Sequence, residues 1–75
     1  MTNAEDALRK MRAWLNDTDQ GLQSLYHMWW DSRPGLFTKL IEYGYGDAKN
    51  ERSGIAFADG SRWIANHNTA TMELG

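Results

Sequence analysis

The segment QGLQSLYHMWWD, residues 20–31, carries the strongest structural signal in the sequence. Its apolar residues Leu22, Leu25, Tyr26 and Trp29 recur at the spacing that lines one face of an α-helix. On a helical wheel at about 100° per residue, Met28 and Trp30 fall roughly 80–100° to either side of the centre of that face. A helix that is apolar on more than one side is either enclosed by its own domain or presents aromatic surface to a partner.

The preceding residues predict an amphipathic helix from about Ala4 to Asn16. Asn3 is a suitable N-cap, and the acidic residues that follow it favour a first helical turn. The apolar stripe of this helix is formed by Ala4, Ala7, Leu8, Met11 and Leu15. A polar run then ends the helix and supplies Thr18 or Asp19 as the N-cap of a second helix over 19–31. So short a connection predicts an antiparallel helical hairpin.

A third helix is predicted to begin at Pro34, because proline needs no amide partner at the first helical position. Gly44 is placed to end this helix in a left-handed cap. The apolar face consists of Leu36, Phe37, Leu40, Ile41 and Tyr43. The next segment, 44–54, has three glycines among polar residues and no periodic pattern, which is typical of a loop.

Two apolar runs between Ile55 and Ala65, joined across Asp59-Gly60, predict a β-hairpin. A two-residue turn would place Ile55, Phe57, Arg62 and Ile64 on one face. A three-residue turn with Gly60 in a bulge would instead align Ile55, Phe57, Trp63 and Ala65. The second turn is preferred because it leaves Arg62 in water. The threonine-rich segment 69–74 is a candidate third strand.

These patterns together predict one α+β domain over residues 1–75. It consists of an N-terminal helical hairpin and a third helix, followed by a small antiparallel β-hairpin or three-stranded sheet. The chain has no cysteine, so a disulfide, a thiolate zinc site and a thiol nucleophile are excluded. No segment approaches the ~20 apolar residues of a membrane span, and the N-terminus does not resemble a secretory signal. We therefore expect a cytoplasmic protein.

No recognisable catalytic, metal or cofactor motif is present, and neither an enzyme nor a cofactor is predicted. His27 and Asp31 stand four residues apart on the second helix, but a zinc site needs two or three further ligands. The other histidine, His67, falls in a predicted turn. A helix-surface pair of small energetic effect is the favoured interpretation of His27 and Asp31.

Four tryptophans among 75 residues are the unusual feature of the composition. Tryptophan is common at the centres of binding sites. Trp29 is expected to be buried and Trp30 partly exposed, whereas Trp14 and Trp63 are expected in the core or at its edge. The predicted partner-binding residues, centred on Trp30, are Met28, Trp30, Asp31, Arg33 and Tyr45.

The predicted function is therefore non-enzymatic binding to another protein by steric occupancy. A short, acidic, cysteine-free chain of this format resembles the small accessory proteins of bacteriophages and mobile elements, including anti-CRISPR inhibitors. The resemblance implies a host nucleoprotein effector or nuclease as partner. One alternative is a self-associating homodimer. Another is weak binding of single-stranded nucleic acid through the region 49–63, although a formal net charge of −2 argues against direct nucleic-acid contact.

Overall fold

The computed structural model describes residues 1–16 and 22–75. The described helices are α1 (Asn3–Leu15), α2 (Gln23–Asp31) and α3 (Arg33–Glu42). They are followed by the strands β1 (Lys49–Glu51), β2 (Gly54–Ala56), β3 (Arg62–Asn66) and β4 (Thr71–Leu74). The strands form an antiparallel sheet in the order β1-β2-β3-β4, so the predicted α+β class is confirmed. Within the described ranges, no helix is both long and apolar enough to cross a bilayer.

The helix starts differ slightly from those predicted. Thr2 is the N-cap of α1 in place of Asn3, because its side chain accepts from the Glu5 amide while Glu5 reaches back to the Thr2 amide. The predicted caps Thr18 and Asp19 lie outside the described residues, as do all of residues 17–21 of the connection between the first two helices. Leu22 is the N-cap of α2 with a left-handed φ of 49°, and α2 begins at Gln23. The predicted start near residue 19 lies outside the described residues.

The end of α3 is a Schellman motif, as the position of Gly44 predicts. Gly44 has a φ of 92°. Its amide donates to the Ile41 carbonyl at 3.0 Å, and the Tyr45 amide donates to the Leu40 carbonyl at 2.7 Å. Ile41 itself is 63% exposed, so it does not belong to the buried face of α3, which is supplied by Leu36 and Leu40.

The β2–β3 hairpin has the preferred three-residue turn. The Phe57 amide donates to the Ser61 carbonyl at 2.9 Å, and Gly60 takes a φ of 88° in the bulge. Ile55 pairs with Trp63, which puts the larger apolar set on the core side. This face is confirmed.

The sheet has one strand more than predicted. β1 lies inside the segment expected to be a polar loop, where Lys49 pairs with Ala56 and Glu51 pairs with Gly54. Its three residues carry no apolar signal because it is a short, charged edge strand. The strand predicted in 69–74 is confirmed as β4, which pairs with β3.

The turn of the β2–β3 hairpin also fastens α1 to the sheet. The Asn3 amide donates to the Asp59 carboxylate at 2.8 Å, and the Ala4 amide donates to Ser61 Oγ at 3.0 Å. The buried Trp63 indole returns a hydrogen bond to the Ala4 carbonyl at 2.8 Å. The pKa of Asp59 is lowered, mainly by the Asn3 amide. Two of the amides that begin α1 therefore depend on residues of the hairpin.

Candidate functional site

Four aromatic rings, which we call the aromatic cluster, meet where α2 packs beside the β3–β4 turn. Their six centroid separations lie between 5.7 and 6.5 Å. The members are Tyr26, Trp29, Trp30 and His67. Separations of this size are those of favourable aromatic pairs. The cluster joins two neighbouring turns of α2 to a turn near the C-terminus.

Hydrogen bonds connect the two buried rings of the cluster, Tyr26 and Trp29, to the β3–β4 turn and to β1. The Tyr26 hydroxyl and His67 Nδ1 are 2.7 Å apart. Trp29 is buried, and its Nε1 donates to Asn50 Oδ1 of β1 at 2.7 Å. α2 is therefore attached both to the first strand and to the turn before the last strand. These two hydrogen bonds fix the Tyr26 and Trp29 rings against which Trp30 packs.

Trp30 is the exposed member of the cluster. Its side chain is 59% exposed, whereas Trp29 is buried, as expected for both residues. The Trp30 ring lies within 5° of parallel to the Tyr26 ring, and it meets His67 edge to face. An exposed indole with two packed ring neighbours loses little further conformational freedom on binding.

Asp31 ends α2 directly after Trp30, and Arg33 begins α3 two residues later. The Arg33 guanidinium lies 5.7 Å from the centre of the Trp29 ring, and its Nε donates to the Trp29 carbonyl at 3.3 Å. Asp31 is exposed. Opposite charges therefore border the aromatic cluster at one end, which is the arrangement of a polar rim.

Met28 and Tyr45 lie on other faces. Met28 is half-buried on the α3 side of α2, where its Cε would be 3.7 Å from a Cβ placed on Gly35. Tyr45 is half-buried, its hydroxyl donates to Asp6 of α1, and its ring packs edge to face on Phe57 at 5.8 Å. Of the five predicted residues, the structure brings together Trp30 with Arg33 and Asp31, and places the other two elsewhere.

His67 is the site residue that the sequence pattern does not single out. It falls in a turn, remote in sequence from Trp30, and no local spacing relates the two residues. Trp14 also differs from expectation, because it is 42% exposed rather than at the core edge. Its ring lies on the flank of α1, where the Lys39 ammonium covers it at 4.7 Å from the centroid.

The region 49–63 does not present an aromatic surface on which a nucleobase could stack. Trp63 is fully buried, and Arg62 lies 3.5 Å from the Glu51 carboxylate. Single-strand binders combine free cations with stacking rings, and this region offers only the cations. Across residues 1–16 and 22–75, no three His, Asp or Glu side chains are grouped to hold a metal ion, and no pocket is present.

Tyr45 gives a pH prediction because its bond to Asp6 shifts both groups. The bond raises the pKa of Tyr45 to about 12, with burial as the second cause. Hydrogen bonds from Tyr45, then Arg9 and Lys10, hold the pKa of Asp6 well below 3.8. The Asp6 contribution to stability is therefore complete above the ordinary carboxyl range and is lost as pH falls below it. The Tyr45 contribution is complete below pH 10.0 and is lost as pH rises toward about 12.

The check is the denaturation midpoint as a function of pH for the wild type and Tyr45→Phe. We expect the variant to lose less stability than the wild type between pH 10.0 and about 12. Tyr43→Phe is the matched control, since it removes a neighbouring hydroxyl but leaves the Asp6 bond intact. Equal alkaline profiles for the wild type and Tyr45→Phe would contradict the prediction.

The chain matches no known family model, and comparisons with curated proteins and with solved structures found no similar protein.

Proposed function

We propose that this chain is a non-enzymatic protein-binding module whose contact surface is centred on Trp30. The observation that carries the proposal is a 59% exposed indole lying on an ordered aromatic base. Exposed tryptophan is unfavourable in water, and tryptophan is enriched among the residues that dominate binding energy. Together these points favour a surface that a partner covers.

The proposed mechanism is steric occupancy. The Trp30 ring supplies the apolar anchor, and its truncation costs about 2 kcal/mol or more in a typical interface centre. Arg33 and Asp31 set the orientation through hydrogen bonds and charge pairs at the border. Arg33 is already held by the Trp29 carbonyl at 3.3 Å, so its guanidinium is presented without much loss of freedom on binding.

The resemblance in format to phage and mobile-element accessory proteins supplies the proposed setting. The partner would be a host nucleoprotein effector or nuclease in the cytoplasm, and the bound module would cover a surface that the partner needs. Direct binding of single strands through 49–63 has less support, because Trp63 is buried in the core.

The test is affinity capture from nuclease-treated extract of the source host with tagged wild type and Trp30→Ala. Trp14→Ala is the matched control, because Trp14 is also exposed but lies on α1 under Lys39. Circular dichroism must first show that all three baits are folded. The proposal predicts one stoichiometric partner with the wild type and Trp14→Ala, and its loss with Trp30→Ala. A partner retained equally by all three baits, or no partner and no self-association, would overturn it.

A further inference from the structure

Asp59 and Gly60 form the one Asp-Gly pair in the sequence, and no Asn-Gly pair occurs. An aspartate that precedes glycine can react with its own backbone, because glycine has no side chain to shield its amide nitrogen. Both residues are exposed in the turn of the β2–β3 hairpin. A Cβ placed on Gly60 would meet nothing within 4 Å, so packing from the rest of the chain leaves this part of the turn room to rearrange.

The reaction joins the Gly60 nitrogen to Asp59 Cγ in a cyclic succinimide. The new N–C bond replaces a C–O bond of the protonated carboxyl group, and the hydroxyl leaves as water together with the amide proton. A second water then opens the ring at either carbonyl. Opening at the former main-chain carbonyl gives isoaspartate, in which the backbone runs through Cγ and is one carbon longer. The mass of the chain is unchanged, and no oxidant or cofactor is needed.

Hydrogen bonds hold both reacting groups in the folded chain. The Gly60 amide donates to the Phe57 carbonyl at 3.0 Å. Asp59 Oδ2 accepts from the Asn3 amide at 2.8 Å, and Oδ1 accepts from the amide of Ser61 at 3.0 Å and from its hydroxyl. The Asn3 bond, followed by those from Ser61, lowers the pKa of Asp59. These bonds therefore favour the ionised carboxylate, whereas ring closure needs the protonated carboxyl group.

We propose that Asp59 is a site of isoaspartate formation and that the first turn of α1, docked on its carboxylate, holds the reaction back. Of the groups that donate to this carboxylate, the Asn3 amide belongs to α1, and the neighbouring Ala4 amide fastens the same turn to Ser61 Oγ at 3.0 Å. Local detachment of α1 frees the carboxyl group. Because isoaspartate moves that group and lengthens the hairpin turn, a transient detachment becomes a permanent change.

The experiment ages the full chain at neutral pH and follows the tryptic peptide 53–62 by liquid chromatography and mass spectrometry. Asp59 is the single Asp or Asn residue of this peptide, so a second peak of equal mass that co-elutes with a synthetic isoaspartyl standard reports this site. A synthetic peptide 53–62 gives the rate without the fold. It is expected to react at least about tenfold faster than the folded wild type, which must first open locally.

Asn3→Pro is the decisive variant, because it removes only the amide that α1 donates to Asp59. Proline is well tolerated at the first helical position, and Thr2 before it already has the extended backbone that proline requires. Asn3→Ala keeps the amide and is the matched control. Asn3→Pro is expected to form isoaspartate at least about fivefold faster than the wild type and Asn3→Ala, since a hydrogen bond to an ionised group shifts a population about tenfold.

Two further variants separate release of α1 from general loss of stability. Trp29→Phe weakens the fold away from the hairpin turn and is expected to age at the wild-type rate. Ser61→Ala removes the hydroxyl that bonds both to Asp59 and to the Ala4 amide, and it is expected to accelerate the reaction as Asn3→Pro does. Circular dichroism checks that each aged variant is folded.

Four results would each overturn the inference. The free peptide could form no isoaspartate, or the wild-type chain could react as fast as the free peptide. Asn3→Pro and Ser61→Ala could both age at the wild-type rate while folded. Trp29→Phe could accelerate the reaction as much as Asn3→Pro, which would make global unfolding the controlling step. None of these results bears on the proposed function, because the reaction does not involve Trp30.

Discussion

Gly54→Ala is expected to lower the free energy of unfolding by about 3 kcal/mol or more, among the largest effects of a single methyl group in the chain. A Cβ at this position would overlap the carbonyl oxygen of Trp63 on the paired strand. Because that oxygen is backbone in the middle of the sheet, no side-chain rotation relieves the overlap. Either β2 separates from β3 or the sheet distorts around Trp63, which is fully buried.

Gly60→Ala is the matched control for this prediction. Gly60 also has a positive φ, 88°, but a Cβ there would meet nothing within 4 Å. Its replacement should therefore cost only about 1 kcal/mol of backbone strain. Urea denaturation followed by tryptophan fluorescence measures both variants. If the two losses are equal, the close approach of Gly54 to Trp63 does not control stability.

Trp29→Ala is expected to cost about 3–5 kcal/mol, the range for truncating a buried aromatic residue. The side chain is buried, its ring contacts the other three rings of the aromatic cluster, and its indole bonds to Asn50. Its loss would leave a cavity beneath Trp30 and remove the ring on which Arg33 lies. The fold and the proposed contact surface are therefore expected to weaken together.

Trp30→Ala separates these two consequences. Because Trp30 is 59% exposed, its truncation is expected to cost less than about 1 kcal/mol of stability and still abolish binding. Trp29→Phe is intermediate, since it keeps a ring but loses the bond to Asn50, at about 1–2 kcal/mol. Denaturant midpoints for the three variants should rank Trp29→Ala lowest. A Trp30→Ala loss as large as that of Trp29→Ala would mean that Trp30 is part of the core.

The elements that sequence patterns predicted well are those whose signals are local. The stripe of α1 depends on the helical spacing of residues close together in sequence. The stop at Gly44 and the bulge at Gly60 depend on backbone angles that glycine adopts readily. The preferred hairpin face was correct because the position of Gly60 determines which residues oppose each other.

β1 is a strand that local sequence patterns do not predict. Lys49, Asn50 and Glu51 contain no strand pattern, and they form a strand because β2 offers them an unpaired edge. Asn50 accepts the hydrogen bond of the buried Trp29 indole, a role that the sequence around Asn50 does not indicate. Both facts depend on contacts between elements and not on the residues within β1.

Some features of the candidate site follow from local sequence spacing, and others depend on tertiary packing. Helical spacing alone places Trp29 on the buried face of α2 and Trp30 on its flank, because residues in adjacent turns are related by the fixed geometry of the backbone. The arrival of His67 beside Trp30, and the separation of Met28 and Tyr45 from it, depend on how the sheet register and the packing of α2 bring remote segments together. Periodicity reports which side of a helix is apolar, but only the packed chain determines what lies beside that side.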